Sequence, residues 1–106
     1  MISLRAAVES EIDWINRRYE EVGFVPSKFN RESIVIAEMN QQPVGLGRMV
    51  AIDENHSELG GIYVFKEYRN QGVAKKIVAF LLNQAPLSNT IYCIPFEHLA
   101  PFYMEY

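Results

Sequence analysis

The sequence predicts an α/β fold, of the α+β kind, in which a mixed but mainly antiparallel sheet is flanked by helices. Three observations predict it. The stretches "SIVIAEM", "VGLGRMVAI" and "SELGGIYVF" are strand-like runs separated only by polar turns, so they pair as an antiparallel meander. Residues 8–22 and 70–83 repeat their apolar side chains at helical spacing. The apolar stretch "TIYCIPF" is reached through the second of these helices, which makes it parallel to the strand before that helix, a β-α-β unit.

Taken in order, "ISLRA" at residues 2–6 predicts a short first strand. Val8, Ile12, Ile15, Tyr19 and Val22 form one stripe of the first helix, Gly23 ends it, and Trp14 falls off the stripe and is placed at the flank of the core. "FVPSKFNRE" predicts an ordered loop or a single helical turn. The hairpin that follows turns at "NQQP", whose register is open because it is not Asn-Gly. Asp53, Glu54, Asn55 and His56 form the next polar turn. In the second helix Val73, Ile77, Val78, Phe80, Leu81 and Leu82 make a broad apolar face. "HLAPFYMEY" begins a third helix, with Pro101 tolerated in its first turn.

With 106 residues the chain is expected to be one domain, residues 1–106. The net charge of -3 provides no broad positive field for phosphate backbones, so no nucleic-acid partner is expected. No apolar run reaches the roughly 18 residues of a membrane helix and the first residues lack a secretory core, so the expectation is a cytoplasmic protein without a membrane partner. One cysteine, Cys93, excludes an intrachain disulfide; among Ile91, Tyr92 and Ile94 it reads as a small buried hydrophobe. His56 and His98 share no ligand spacing with carboxylates or with Cys93, so no metal is expected.

The chemistry concentrates at the joint between "GGIYVF" and the second helix. A helix beginning near Asn70 leaves its first N–H groups without intrahelical partners and carries partial positive charge there. Gly72 and Ala74 keep side chains away from that backbone, and Arg69, Lys75 and Lys76 add charge, so the joint suits a phosphate or pyrophosphate. The same residues also suit a tight turn beside a solvated basic face. Neither G-x-G-x-x-G nor the Walker spacing is present, which disfavours a dinucleotide or nucleoside triphosphate.

Arg69-x-x-Gly72-x-Ala74, after "IYVFKEY" and before an apolar helix, resembles the Q/R-x-x-G-x-G/A acyl-CoA signature of the GNAT superfamily of N-acetyltransferases. The order of elements is similar to that superfamily's core, and "LAPFYMEY" resembles its A-x-x-F-Y segment, so the likeness spans nearly the whole chain. It implies acetyl-CoA as acyl donor, the pyrophosphate on amides of Asn70, Gln71, Gly72, Val73, Ala74 and Lys75 with Arg69 beside them as a further cofactor-binding residue, and the pantetheine arm along the backbone of Ile62, Tyr63 and Val64. A glycine pair such as Gly60 and Gly61 fits a bulge or the close approach of another backbone-like group. The resemblance also implies Tyr103 as the proton donor to the coenzyme sulfur, Glu58 as a base and a backbone N–H near Val64 as oxyanion donor. Strand alternation puts Glu58, Gly60, Ile62 and Val64 on one side unless a bulge intervenes.

The chain departs from the family in two places. Phe96 stands where an asparagine often contacts the coenzyme, and the sequence stops at Tyr106, before the strand hairpin that closes the family's sheet. The sequence thus reads as a domain cut at its C-terminus or closed by a partner chain, which leaves a homodimer open. The implied activity is acetyl transfer to a primary amine of a small molecule or peptide. The alternative is a non-catalytic acyl-CoA-binding regulator or interaction module.

Overall fold

The computed structural model describes residues 1–85 and 89–93. The predicted third helix, Phe96 and Tyr103 lie outside the described residues. Five strands, β1 (Ile2–Ala6), β2 (Glu32–Met39), β3 (Gln42–Ala51), β4 (His56–Val64) and β5 (Thr90–Cys93), form one sheet in that spatial order. The first four run antiparallel and β5 pairs parallel to β4, as the β-α-β reading requires.

Helix α1 (Ile12–Glu20) covers one face of the sheet and helix α2 (Val73–Gln84) the other. This explains the consecutive apolar residues of β2: Ile34 and Ile36 join Ile15, Tyr19, Phe24 and Leu46, while Val35 and Ala37 join Ile77, Val78 and Leu81. A strand covered on both faces has no reason to alternate. On α2 the buried residues Val73, Ala74, Ile77, Val78 and Leu81 recur as one helical stripe, with Phe80 and Leu82 half-buried at its margins.

α1 is shorter than its apolar stripe. Val8 is exposed and precedes a 3-10 turn, Glu9–Glu11, because Glu11 accepts the Val8 N–H and forms a bidentate pair with Arg5 on β1. The Arg5 guanidinium holds the Glu11 carboxyl below the usual carboxylate range. Trp14 sits at the flank of the core, edge-on to Phe65 at 6.3 Å. The loop after α1 contains a single 3-10 turn, Phe29–Arg31.

The β2–β3 hairpin turns on two residues, Asn40 and Gln41, with Met39 paired to Gln42. Both have positive φ, 51° and 66°, as in a type I′ turn, so the register is fixed by backbone that Asn adopts readily and Gln does not. Gln41→Gly is expected to stabilise the fold by about 1 kcal/mol, raising Tm by about 4–8 °C in a thermal melt. An unchanged or lowered Tm would contradict the turn geometry.

His56 belongs to β4 rather than to the preceding turn. It pairs with Thr90, its Nδ1 lies 2.7 Å from Asp53 Oδ1, and its ring stacks on Tyr92. Cys93 is exposed rather than buried, since β5 is a half-covered strand in which only Ile91 packs against the core. Among the described residues no helix is long and apolar enough to cross a membrane.

Candidate functional site

After Val64 the chain passes through a 3-10 turn, Lys66–Tyr68, and reaches α2 by way of two left-handed residues, Asn70 (φ 65°) and Gly72 (φ 83°). The helix therefore begins at Val73, not near Asn70. Gly72 is its N-cap, no side chain caps it, and the Lys76 N–H closes the first turn on the Gly72 carbonyl. That leaves the N–H groups of Val73, Ala74 and Lys75 without intrahelical acceptors. Val73 and Ala74 bury their side chains against the sheet, so only their backbone faces the mouth. A Cβ on Gly72 would meet nothing within 4 Å, and the first turn carries no acidic residue. Gln71 is exposed, as are Lys75 and Lys76. Arg69 ties the loop to the strand: its Nε donates to the Val64 carbonyl at 3.0 Å.

Strand β4 is bulged. Arg48 pairs with Gly60 and Leu46 with Tyr63, so Gly47 alone faces the two residues Gly61 and Ile62. Gly61 has φ +60°, its carbonyl accepts the Tyr19 hydroxyl at 2.7 Å, and a Cβ there would lie 2.7 Å from Arg48 Nε and 2.9 Å from Tyr19 Oη. The extra residue reverses the alternation. Ile62 and Val64 face α2, whereas Glu58 and Gly60 stand with Arg48 on the α1 side, so the four do not share one side. The described part of β5 pairs with His56, Ser57, Glu58 and Leu59, so beyond Leu59 the outer edge of β4 has no strand partner among the described residues. The Phe65 N–H turns to Val44 on β3; alternation then turns the Val64 N–H to the open edge, where Arg69 already holds the Val64 carbonyl. The backbone of Ile62 shares that edge.

On the α1 side a cavity of about 190 Å³ is lined by Gly23, Val25, Arg48, Val50, Glu58, Gly60 and Gly61. Glu58 makes no side-chain hydrogen bond or ion pair among the described residues. Arg48 packs its guanidinium over Tyr19, 4.5 Å from the ring centroid, and donates from Nη1 to the Val25 carbonyl at 2.8 Å and to the Ser27 hydroxyl. Tyr63 donates to Glu21 at 3.2 Å; burial and the Glu21 charge raise its phenol above the ordinary value. No group of three or more His, Cys, Asp or Glu among the described residues is placed to hold a metal ion.

The sequence profile of the Acetyltransferase (GNAT) family matches residues 5–103. The chain belongs to the GNAT family. Solved structures agree at the level of fold. A predicted acetyltransferase from Clostridium acetobutylicum, solved with acetyl-CoA, is 19% identical with a TM-score of 0.79, covering 100% of this chain and 88% of that one. A ribosomal-protein-alanine N-acetyltransferase from Brucella melitensis is 12% identical with a TM-score of 0.77, over 100% and 88% of the two chains. A GNAT acetyltransferase from Staphylococcus aureus is 20% identical with a TM-score of 0.74, over 99% and 82%. No curated protein matches the chain in sequence. Membership implies an acyltransferase, and acetyl-CoA is the donor that the GNAT family uses.

Within this GNAT domain, the bulge brings Tyr19 and Arg48 to Gly61 across 42 and 13 residues of sequence, a cluster the sequence reading missed. Gly45 and Gly47 were missed as well. A Cβ on either would press on Ile77, at 3.1 Å from Gly45 and 2.3 Å from Gly47, so both let α2 lie close to the sheet. Their spacing of two on a strand was the available signal, since it puts both on one face.

Proposed function

We propose that this GNAT domain is an N-acetyltransferase that moves an acetyl group from acetyl-CoA to a primary amine of a small molecule or peptide. The observation that carries the reading is one stretch of chain, residues 60–75, that supplies both a strand edge without a strand partner among the described residues and a helix mouth without a side-chain cap. An extended pantetheine arm needs the first, along Ile62, Tyr63 and Val64. A pyrophosphate needs the second, on the amides from Asn70 to Lys75 with Arg69 and Lys75 nearby. Each amide bond to an anion is charge-assisted, so several together outweigh the roughly 0.3–1 kcal/mol per charge that the helix dipole contributes.

Transfer forms a bond from the amine nitrogen to the thioester carbonyl carbon and breaks the bond from that carbon to sulfur. A backbone N–H on the open edge near Val64, that of Ile62 or of Val64 itself, donates to the developing oxyanion. Sulfur leaves with the electron pair and takes the phenol proton of Tyr103. An amine with a pKa near 10.4 is mostly protonated at pH 7, a handicap of about 4–5 kcal/mol. Glu58 or water accepts the proton that the amine must lose.

Tyr103→Phe tests the acid. Transfer should fall by about tenfold or more in kcat, with acetyl-CoA affinity within about twofold of wild type by calorimetry. Undiminished kcat would remove Tyr103 from the mechanism; wild-type binding without turnover on any amine would make the domain an acyl-CoA-binding regulator.

A further inference from the structure

The cavity beside the β4 bulge carries a charge arrangement that narrows the acceptor. Arg48 pairs with Gly60 and Val50 with Glu58, so Arg48 and Glu58 are diagonal neighbours on one face, about 7–8 Å apart at this register. Opposite charges in such positions commonly meet, and these do not. The guanidinium is drawn aside by the Val25 carbonyl, the Ser27 hydroxyl and the Tyr19 ring. Every hydrogen bond it makes to the described residues uses Nη1, and Glu32 Oε1 stands 4.0 Å from the same nitrogen. The Nε–H and the two Nη2–H donors have no acceptor among the described residues. Glu58, across the cavity, is an acceptor with no donor among the described residues. Val25, Val50 and the glycines supply the rest of the wall.

We propose that the acceptor is a small zwitterionic amino acid, its amine at Glu58 and its carboxylate on the Nε and Nη2 edge of Arg48. The proposal rests on the transferase reading above. A carboxylate fits that edge of a guanidinium with two parallel hydrogen bonds, which an uncharged substituent does not supply. The volume, about 190 Å³, equals the share of about six waters in the liquid, the scale of a small amino acid. A second ammonium on the substrate would face Arg48, so diamines are selected against. The products are the N-acetyl amino acid and the free thiol of coenzyme A, with no further reactant.

The test is release of coenzyme A thiol by the wild-type chain with glycine, L-alanine, L-valine and 4-aminobutyrate, each beside its decarboxylated amine, and with a peptide bearing N-terminal alanine. For at least one amino acid kcat/KM should exceed that of its amine by about thirtyfold or more, expressed mainly in KM. In Arg48→Met that ratio should fall below about threefold; the wild-type comparison stands without the variant. Amines or the peptide used as well as the amino acids would overturn the proposal and leave the transferase standing. No turnover of any acceptor by a chain that binds acetyl-CoA would overturn both.

Discussion

Gly72→Asp is expected to weaken acetyl-CoA binding by about a hundredfold or more while leaving the fold nearly as stable as wild type. Gly72 is the N-cap of α2 at φ 83°, and the space around a Cβ there is open, so no side chain in the free protein resists the change. Among L-residues Asp and Asn tolerate the left-handed region best, which holds the stability cost to about 1 kcal/mol, or about 4–8 °C in Tm. The carboxylate, however, enters the place proposed for the pyrophosphate. Two unit charges at about 4 Å repel by about 1 kcal/mol in water and about 4 kcal/mol at an effective dielectric of 20, and a pyrophosphate presents at least two. About 2.7 kcal/mol suffices for the hundredfold loss. Calorimetry with acetyl-CoA reads the affinity and a thermal melt reads the fold. Wild-type affinity in a folded Gly72→Asp variant would mean that the pyrophosphate is bound elsewhere.

Gly47→Ala should lower stability by about 3 kcal/mol in denaturant unfolding. Its Cβ would lie 2.3 Å from Ile77 Cγ2, 3.0 Å from Ile62 Cδ1 and 3.2 Å from Leu81 Cδ1. Ile77 and Leu81 are anchored on α2 and Ile62 on β4, all essentially inaccessible to solvent, so the helix must lift from the sheet. That movement also displaces the first turn of α2. Ile77→Ala leaves a cavity and costs about 2–5 kcal/mol alone, but in the double variant the new methyl occupies part of it. The two changes together should therefore cost at least about 1 kcal/mol less than their sum. Additive losses would show that Gly47 does not govern the approach of α2.

What the sequence reveals follows the range of the interactions involved. β1 was legible to the residue, and the meander and the β-α-β connection were legible because β-branched runs and short polar turns are local signals. That α1 begins at Ile12 rather than at Val8 was not, since the interaction that sets it joins Glu11 to Arg5 on another element. The hairpin register waited on Asn40 and Gln41, which adopt a turn usually filled by Asn-Gly. Gly60 and Gly61 announced a bulge, yet the consequence, Glu58 and Ile62 on opposite faces, requires the register with β3. The motif Arg69-x-x-Gly72-x-Ala74 located the helix mouth; the positive φ of Asn70 and Gly72 moves its first turn to Val73. Arg48 was invisible as part of the cavity because Val25, Ser27, Tyr19 and Gly60 come to it from three other parts of the chain.

The central claim is that acetyl-CoA lies along β4 and ends at the mouth of α2. Its most direct test is titration of acetyl-CoA into the nitrogen-15-labelled chain, followed by amide resonances. Saturable shifts concentrated at Ile62, Tyr63 and Val64 and from Asn70 to Lys75 are the predicted result. A well-dispersed spectrum in which those amides stay still at saturating acetyl-CoA would contradict it.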